Sequence, residues 1–477
     1  MATLASSLSG QARAGAALQG YGWPLLLLLV AAASLAAGWS GFIASDDELY
    51  YGGALKWAAG EPFAGDSHWT TRFPLVLTLA GMIKLVGATP LALHLTAILW
   101  FGLFVASGTL LGRSIAGERG GWIAGLLLAS MPLIALGGSI VNCDLPEASF
   151  LMLGAWLLIG QIGRPRLGRC LLAGLCFGLA ILCRETAVLA LSGLGILFLI
   201  GRPLPRWALF AAGCGAAAVL AGEAAFQWAM TGDPLHRYSL AFNHDSTIVR
   251  SDNEEGNLLV HPALDPLLVL LVNNEFALLF WLAIPAALTL RKGGFDWRRF
   301  SPVAAMGAAC FVLVALLSHK LVLNPRYFTP TAVAAAILAG AWLARLPARR
   351  AAVMGAAAIA LNLAMLMLQN NHPRWASEAL AQAAADDPAR AITSDTDTVN
   401  RARMRLQWAG LDNVRAEAPH ALVPARQAGG RAIVAEYQAP WRPAGSVLAI
   451  MGIEVDRLKA GEDMVLVRCA GSLCSSR

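Results

Sequence analysis

Apolar residues recur in long runs along this chain, and polar residues gather in the short gaps between them. A helix rises about 1.5 Å per residue, so runs of this length match the roughly 30 Å of a bilayer's hydrocarbon. The pattern predicts spanning helices at about 23–42, 91–112, 122–141, 147–163, 170–183, 186–201, 207–230, 266–290, 300–318, 328–345 and 351–370, some eleven in all. The run 73–87 is apolar but short and carries Lys84, which predicts a helix lying in the interface. Asn273, Asn274 and Glu275 interrupt the run 266–290 and argue for a later start there. No charged n-region or cleavage site precedes the first run, so that helix is expected to be a retained anchor.

Composition agrees with the pattern. Of 477 residues 57% are hydrophobic and 14% charged, with a mean hydropathy of +0.59, whereas soluble domains carry about 25% charge. This excludes a cytosolic enzyme, a secreted disulfide scaffold and a disordered chain. The expected fold class is an all-α polytopic membrane protein with a small C-terminal α/β soluble domain. The net charge of +6 points to no nucleic-acid partner, because in a membrane chain the distribution of charge matters more than its sum. One set of alternate loops holds 14 basic residues, from Arg113 to Arg350, against two acids, Glu118 and Asp296. The opposite set holds 8 basic and 15 acidic residues, leaving aside the intramembrane Glu223. The first set is therefore expected in the cytoplasm and the second outside. The expected organisation is a cytoplasmic segment 1–22, a membrane domain 23–371 with a prominent outer loop 43–90, and an extracytoplasmic α/β domain 372–477.

That last region carries 13 basic and 12 acidic residues, strand-like runs at 391–393, 431–437 and 446–451, and a helical pattern at 398–409. Six of the eight cysteines lie in or beside apolar runs; Cys469 and Cys474 lie in the tail, where export would permit but not require their pairing. The chain has no P-loop, zinc-type Cys/His spacing, nucleophile elbow or fixed-period repeat.

Five polar clusters stand at helix ends on the expected outer side. In Ser45-Asp46-Asp47-Glu48, Ser45 and Glu48 have the spacing of a capping box, and Asp47 with Tyr51 one turn on is either a general base backed by a phenol or a complement to the helix dipole. Arg72, ahead of Pro74-Leu75, suits a phosphate clamp or a snorkelling headgroup contact. Asp144, with Glu147 three residues on, suits an N-cap, a catalytic acid or both. Arg184-Glu185 forms a short turn that could pair with itself. Lys320 and Arg326-Tyr327 bring cations to an outer face where the charge rule disfavours them, so an anion is expected there.

The order and common sidedness of these motifs resemble the GT-C integral membrane glycosyltransferases, in particular the bacterial relatives of protein O-mannosyltransferases and of the lipid A aminoarabinose transferase. The resemblance covers roughly 23–370 and rests on Asp47-Glu48-x-x-Tyr51, Arg72 before Pro74-Leu75, Asp144 with Pro146, Arg184-Glu185, and Arg326-Tyr327 leading into Pro330. It implies a polyprenyl-phosphate-sugar donor, with Arg72, Lys320, Arg326 and Tyr327 on the phosphate and Asp47, Glu48 and Asp144 as catalytic acids. Tyr51, Arg184, Glu185 and His244 would support them. Asp47 would deprotonate an acceptor hydroxyl that attacks with inversion, and Asp144 would position Arg72 or the acceptor. One branch binds a divalent metal through a carboxylate where this chain has Thr71, so no metal is assigned, although His244 stands where that branch has its histidine. The acceptor could be an envelope glycan, lipid A or protein, reached among membrane lipids. Two other classes remain open: a transporter or flippase, for which Glu223 and Asn273-Asn274-Glu275 are the natural coupling groups, and a scaffold whose tail recruits partners.

Overall fold

The computed structural model describes residues 22–244, 261, 263–317, 323–368, 375–417, 420–425, 433–437 and 464–468. The membrane part comprises α1 (Gly22–Gly38), α2 (Asp46–Ala58), α3 (Phe73–Val86), α4 (Pro90–Ser130), α5 (Pro132–Gly137), α6 (Asp144–Ile159), α7 (Leu167–Cys183), α8 (Ala187–Ile200) and α9 (Arg206–Thr231). It continues through α10 (His236–His244), α11 (Asp265–Val272), α12 (Leu279–Leu290), α13 (Trp297–Leu317), a 3-10 turn (Pro325–Phe328), α14 (Thr329–Leu343) and α15 (Ala348–Leu368). Proline opens α3, α4, α11 and α14, where its missing N–H is no loss. Left-handed glycines Gly201 and Gly232 close α8 and α9.

Pro90–Ser130 and Trp297–Leu317 are among the helices long and apolar enough to cross a bilayer, and large side chains such as Leu28, Leu199, Phe210, Trp228 and Leu316 stand exposed along the helices. The chain is a multi-pass membrane protein. Two expected runs meet within α4: Gly117, at φ +77°, reverses its direction, so that Gly112 lies against Gly121 and Thr109 against Gly125. The expected single span 266–290 is broken instead. Asn273 ends α11, its Oδ1 accepts the Glu275 N–H at 2.8 Å, and α12 starts only at Leu279. An Asx turn thus replaces a helical turn where the three polar residues stand.

Glycines set the closest helix approaches. A Cβ on Gly174 of α7 would lie 1.9 Å from the Ala212 carbonyl oxygen of α9, and one on Gly215 would lie 2.2 Å from the Leu171 carbonyl. Backbones packed this closely are the usual way for helices to associate in lipid.

The C-terminal region comprises α16 (Trp375–Asp386), β1 (Ile392–Ser394), α17 (Thr396–Ala409), β2 (Val414–Ala416), β3 (His420–Pro424), β4 (Ile433–Tyr437) and β5 (Met464–Arg468). β1 pairs in parallel with β2, while β5 lies between β3 and β4, antiparallel to both. Ala379, Leu380, Ala402, Leu406, Leu422 and Leu466 form its core. The runs at 391–393, 398–409 and 431–437 appear as β1, α17 and β4; the run 446–451, Cys469 and Cys474 lie outside the described residues. β2, β3, β5 and α16 were not expected from the sequence, since strands of three to five residues leave too little alternation to read.

Candidate active site

α2 begins immediately after the turn that follows α1. Its first acids do not form the expected capping box: Ser45 makes no side-chain cap, and Glu48 turns to the C-terminal region, accepting from Arg403 at 2.9 Å. Asp47 takes over the capping work. Its Oδ2 accepts the Ile43 N–H at 2.7 Å, and its Oδ1 accepts Ser45 N–H at 2.7 Å and Glu48 N–H at 3.1 Å. The side chain is 1% exposed, and burial pushes its pKa up to about 6 against the lowering pull of those backbone donors and of Arg405. A carboxylate held by neutral donors in this range can accept a proton near neutral pH. Tyr51 does not back it as expected; the phenol oxygen accepts instead from Trp408 Nε1 at 3.2 Å.

Arg72, just ahead of α3, reaches inward rather than toward headgroups. Its Nη1 donates to Tyr50 Oη and lies 3.1 Å from Cys143 Sγ, and the residue is 7% exposed. Its Nε–H has no partner among the described residues. The expectation that Asp144 positions Arg72 is not met, because Asp144 is ion-paired with Arg184 through Oδ1. Nor is Asp144 an N-cap. Asn142 Oδ1 does that work, accepting Asp144 N–H at 3.0 Å and Leu145 N–H at 3.2 Å.

The Arg184-Glu185 turn is not paired with itself. Arg184 leaves for Asp144 and stacks on the Tyr327 ring at 4.3 Å, while Glu185 accepts from Arg237 at 2.6 Å. Burial alone would raise the Glu185 pKa, but Arg237 and Arg72 together hold it below the usual carboxylate range. Arg326 approaches Asp46 at 3.9 Å and, like Arg72, keeps a buried Nε–H with no partner among the described residues. Asn324 fixes its backbone by accepting the Arg326 N–H at 3.1 Å.

The structure thus joins the α2 start, Arg72, Asp144, the Arg184-Glu185 turn and Arg326-Tyr327 at one end of the bundle. Lys320 lies outside the described residues, and of His244 only the helical backbone is described. Sequence reasoning passed over Tyr50, Arg237, Arg405 and Trp408. Arg237 is 0% exposed and also donates to the Thr71 carbonyl at 2.5 Å and the Ile181 carbonyl at 3.2 Å. Nothing in its local sequence separates it from a surface arginine.

Among the described residues the donor set does not fit a divalent metal. The Thr71 hydroxyl donates to the His68 carbonyl at 3.0 Å and the Thr71 carbonyl faces the Arg237 guanidinium, a cation that repels another. No group of three or more His, Cys, Asp or Glu side chains suited to a metal occurs among the described residues. The groups suggested for transport coupling also have local explanations in part, since Asn273 is spent on its turn.

Residues 74–223 match the family of dolichyl-phosphate-mannose-protein mannosyltransferases. That segment holds Asp144, Arg184 and Glu185 but not Asp47, Arg72 or Arg326. No curated protein matches the chain. The structure is similar to ArnT from Cupriavidus metallidurans bound to undecaprenyl phosphate, at 14% identity and a TM-score of 0.60, covering 96% of this chain and 100% of that one. It is also similar to the Archaeoglobus fulgidus oligosaccharyltransferase tethered to an acceptor peptide, at 14% identity and a TM-score of 0.53, covering 76% of this chain and 57% of that one. AglB from Archaeoglobus fulgidus, in complex with an inhibitory peptide and a dolichol-phosphate, matches at 13% identity and a TM-score of 0.50 over 78% of this chain and 59% of its own. The chain has the fold of the GT-C membrane glycosyltransferases, as its motifs led us to expect.

Proposed function

We propose that the protein transfers a sugar from a polyprenyl-phosphate donor to an envelope acceptor at the outer face of the cytoplasmic membrane, inverting the anomeric carbon. The observation that carries this reading is that Arg72, bonded to Tyr50 of α2, and Arg326, beside Asp46, each hold a buried guanidinium N–H with no partner among the described residues. A buried donor left unpaired costs about 1–3 kcal/mol, which an anionic ligand would recover. The relatives of similar fold with undecaprenyl phosphate and dolichol-phosphate supply the class of anion.

In this mechanism Arg72, Lys320 and Arg326 hold the donor phosphate and stabilise the charge it gains as the bond to the anomeric carbon breaks. Tyr327, stacked under Arg184, donates a hydrogen bond to the phosphate, and Asp144 keeps Arg184 in place. The acceptor oxygen attacks from the opposite face and its proton passes to Asp47. Asp47 Oδ2 accepts a single N–H and so retains a lone pair for that proton. Since Asp47 is 1% exposed, an acceptor reaches it only by displacing its cover. Glu48, turned toward Arg403, anchors rather than reacts.

Purified protein in nanodiscs, given radiolabelled polyprenyl-phosphate sugars and extracted envelope fractions, should move the label to an acceptor and release polyprenyl phosphate. Translocation of an intact donor without cleavage would instead establish the flippase reading. Sidedness has its own test: cysteines placed at Ser67 and Gly293 should differ in intact cells, the first reacting with an impermeant thiol reagent and the second not.

A further inference from the structure

Helix α17 has two apolar faces. Val399, Ala402 and Leu406 enter the core of the C-terminal region, whereas Met404 and Trp408 belong to the core of the membrane part. The second face sits on the turn that precedes α2. The Trp408 ring meets Phe42 edge-on at 4.9 Å and Tyr51 at 5.6 Å. Arg405 Nη2 donates to the Phe42 carbonyl and to Glu378 of α16 at 2.7 Å, and its guanidinium lies 5.2 Å over the Phe42 ring. The turn itself is strained, with the non-glycine Ala44 at φ +54°. Such a conformation persists only when its surroundings hold it, and here Arg405 holds one side at Phe42 while Asp47 holds the other through Ile43 and Ser45.

From this we infer that Arg405 and Trp408 are positioning residues for sugar transfer: α17 fixes the 42–45 turn, and the turn's N–H groups aim the Asp47 carboxylate. The inference rests on the reading of Asp47 as the general base. It gives the C-terminal region a part in turnover rather than in recruitment alone. The charged groups around Asp47 are Asp46 and Glu48 on its own helix, Arg405 and Arg403 from α17, and Arg326 beyond Asp46. Glu378 shares Arg405, and His94 of α4 feels its charge. Of these, Arg405 is the cation that lowers the Asp47 pKa, so its loss should raise it.

The test uses the full chain in nanodiscs and compares Arg405→Gln, Arg405→Lys, Trp408→Phe and Asp47→Asn, with Arg401→Ala as control, because among the described residues Arg401 pairs only along α17 with Asp397. Arg405→Gln should lower kcat about ten- to a hundredfold, as misplacement of a reacting group by about 1 Å does, while donor KM changes less than about twofold. The acidic limb of its kcat profile should move up by roughly half a pH unit. Arg405→Lys should recover part of the rate and most of the limb, Trp408→Phe should lose about threefold by loosening the turn, and Arg401→Ala should behave as wild type. If Arg405→Gln does not fold, the lysine and Trp408→Phe variants decide. Wild-type kcat and limb in the Arg405 and Trp408 variants, beside a dead Asp47→Asn, would overturn the positioning role and leave the base intact. An active Asp47→Asn would remove the base itself, whatever the others do. A fall in kcat with an unmoved limb and a proportionate rise in donor KM would mark ordinary structural damage and also overturn the role.

Discussion

Asp47 and Asp144 occupy matching places, each in the first turn of a helix at the same end of the bundle, yet their surroundings divide the chemistry between them. Asp144 spends its charge on Arg184, which is itself stacked on Tyr327. Among the described residues Asp47 has no cation within ion-pair distance, and its carboxylate is held by three backbone N–H groups. A carboxylate bound to a buried guanidinium builds the site; one held by neutral donors in a dry pocket is available to a proton. Local sequence hardly distinguishes the two, and the difference lies in what arrives from elsewhere in the chain.

The sharpest way to break this contrast is Asp47→Asn, which should cut transfer by roughly 10² to 10⁴-fold, the usual share of a general base, while donor binding survives. Both should be measured on the same purified variant; substantial residual transfer ends the assignment. Asp144→Asn should act on the fold instead. It strands Arg184, 7% exposed, and should cost about 3 kcal/mol in denaturant or thermal unfolding. Replacing Arg184 as well by leucine should recover part of that loss.

Arg72→Ala and Arg326→Ala should each weaken donor binding about tenfold, the value of one charge-assisted contact. Lysine should rescue only partly because it lacks the planar fork. The pH profile sharpens the comparison further. A base with its pKa near 6 is lost by protonation, so kcat should fall about tenfold per unit below pH 6 and level off above it. In stable Asp144 variants that limb should stay where it is. The smallest effect belongs to Arg403→Ala, whose pair with Glu48 leaves the arginine side chain 61% exposed; stability should change by less than about 1 kcal/mol.

Much of this arrangement was legible before the structure. Apolar periodicity marked the helices, and the acids and arginines were recognisable because they stand at helix ends where hydrocarbon gives way to water. Their partners were not. Arg184 finds Asp144 across 40 residues, Arg237 finds Glu185 across 52 and Arg405 finds Phe42 across 363, separations at which local pattern carries no information. The capping-box spacing of Ser45 and Glu48 misled for a related reason. Arg403, from α17, claims the Glu48 carboxylate, and Asp47 fills the vacant capping role from within.

The glycine crossing of α7 and α9 works as a gauge block for the site. The two helices run in parallel, and beyond the contact of Gly174 with Ala212 each continues toward one half of the Glu185–Arg237 pair. Glu185 lies about 15 Å further along its helix direction, so a small angular error at the crossing is magnified where the guanidinium must meet both that carboxylate and the Thr71 carbonyl. A methyl group at Gly174 would face a carbonyl oxygen 1.9 Å away and wedge the pair apart. Tolerances at the Glu185–Arg237 pair are therefore set by hydrogen atoms about two to three helical turns away, on residues that carry no chemistry of their own.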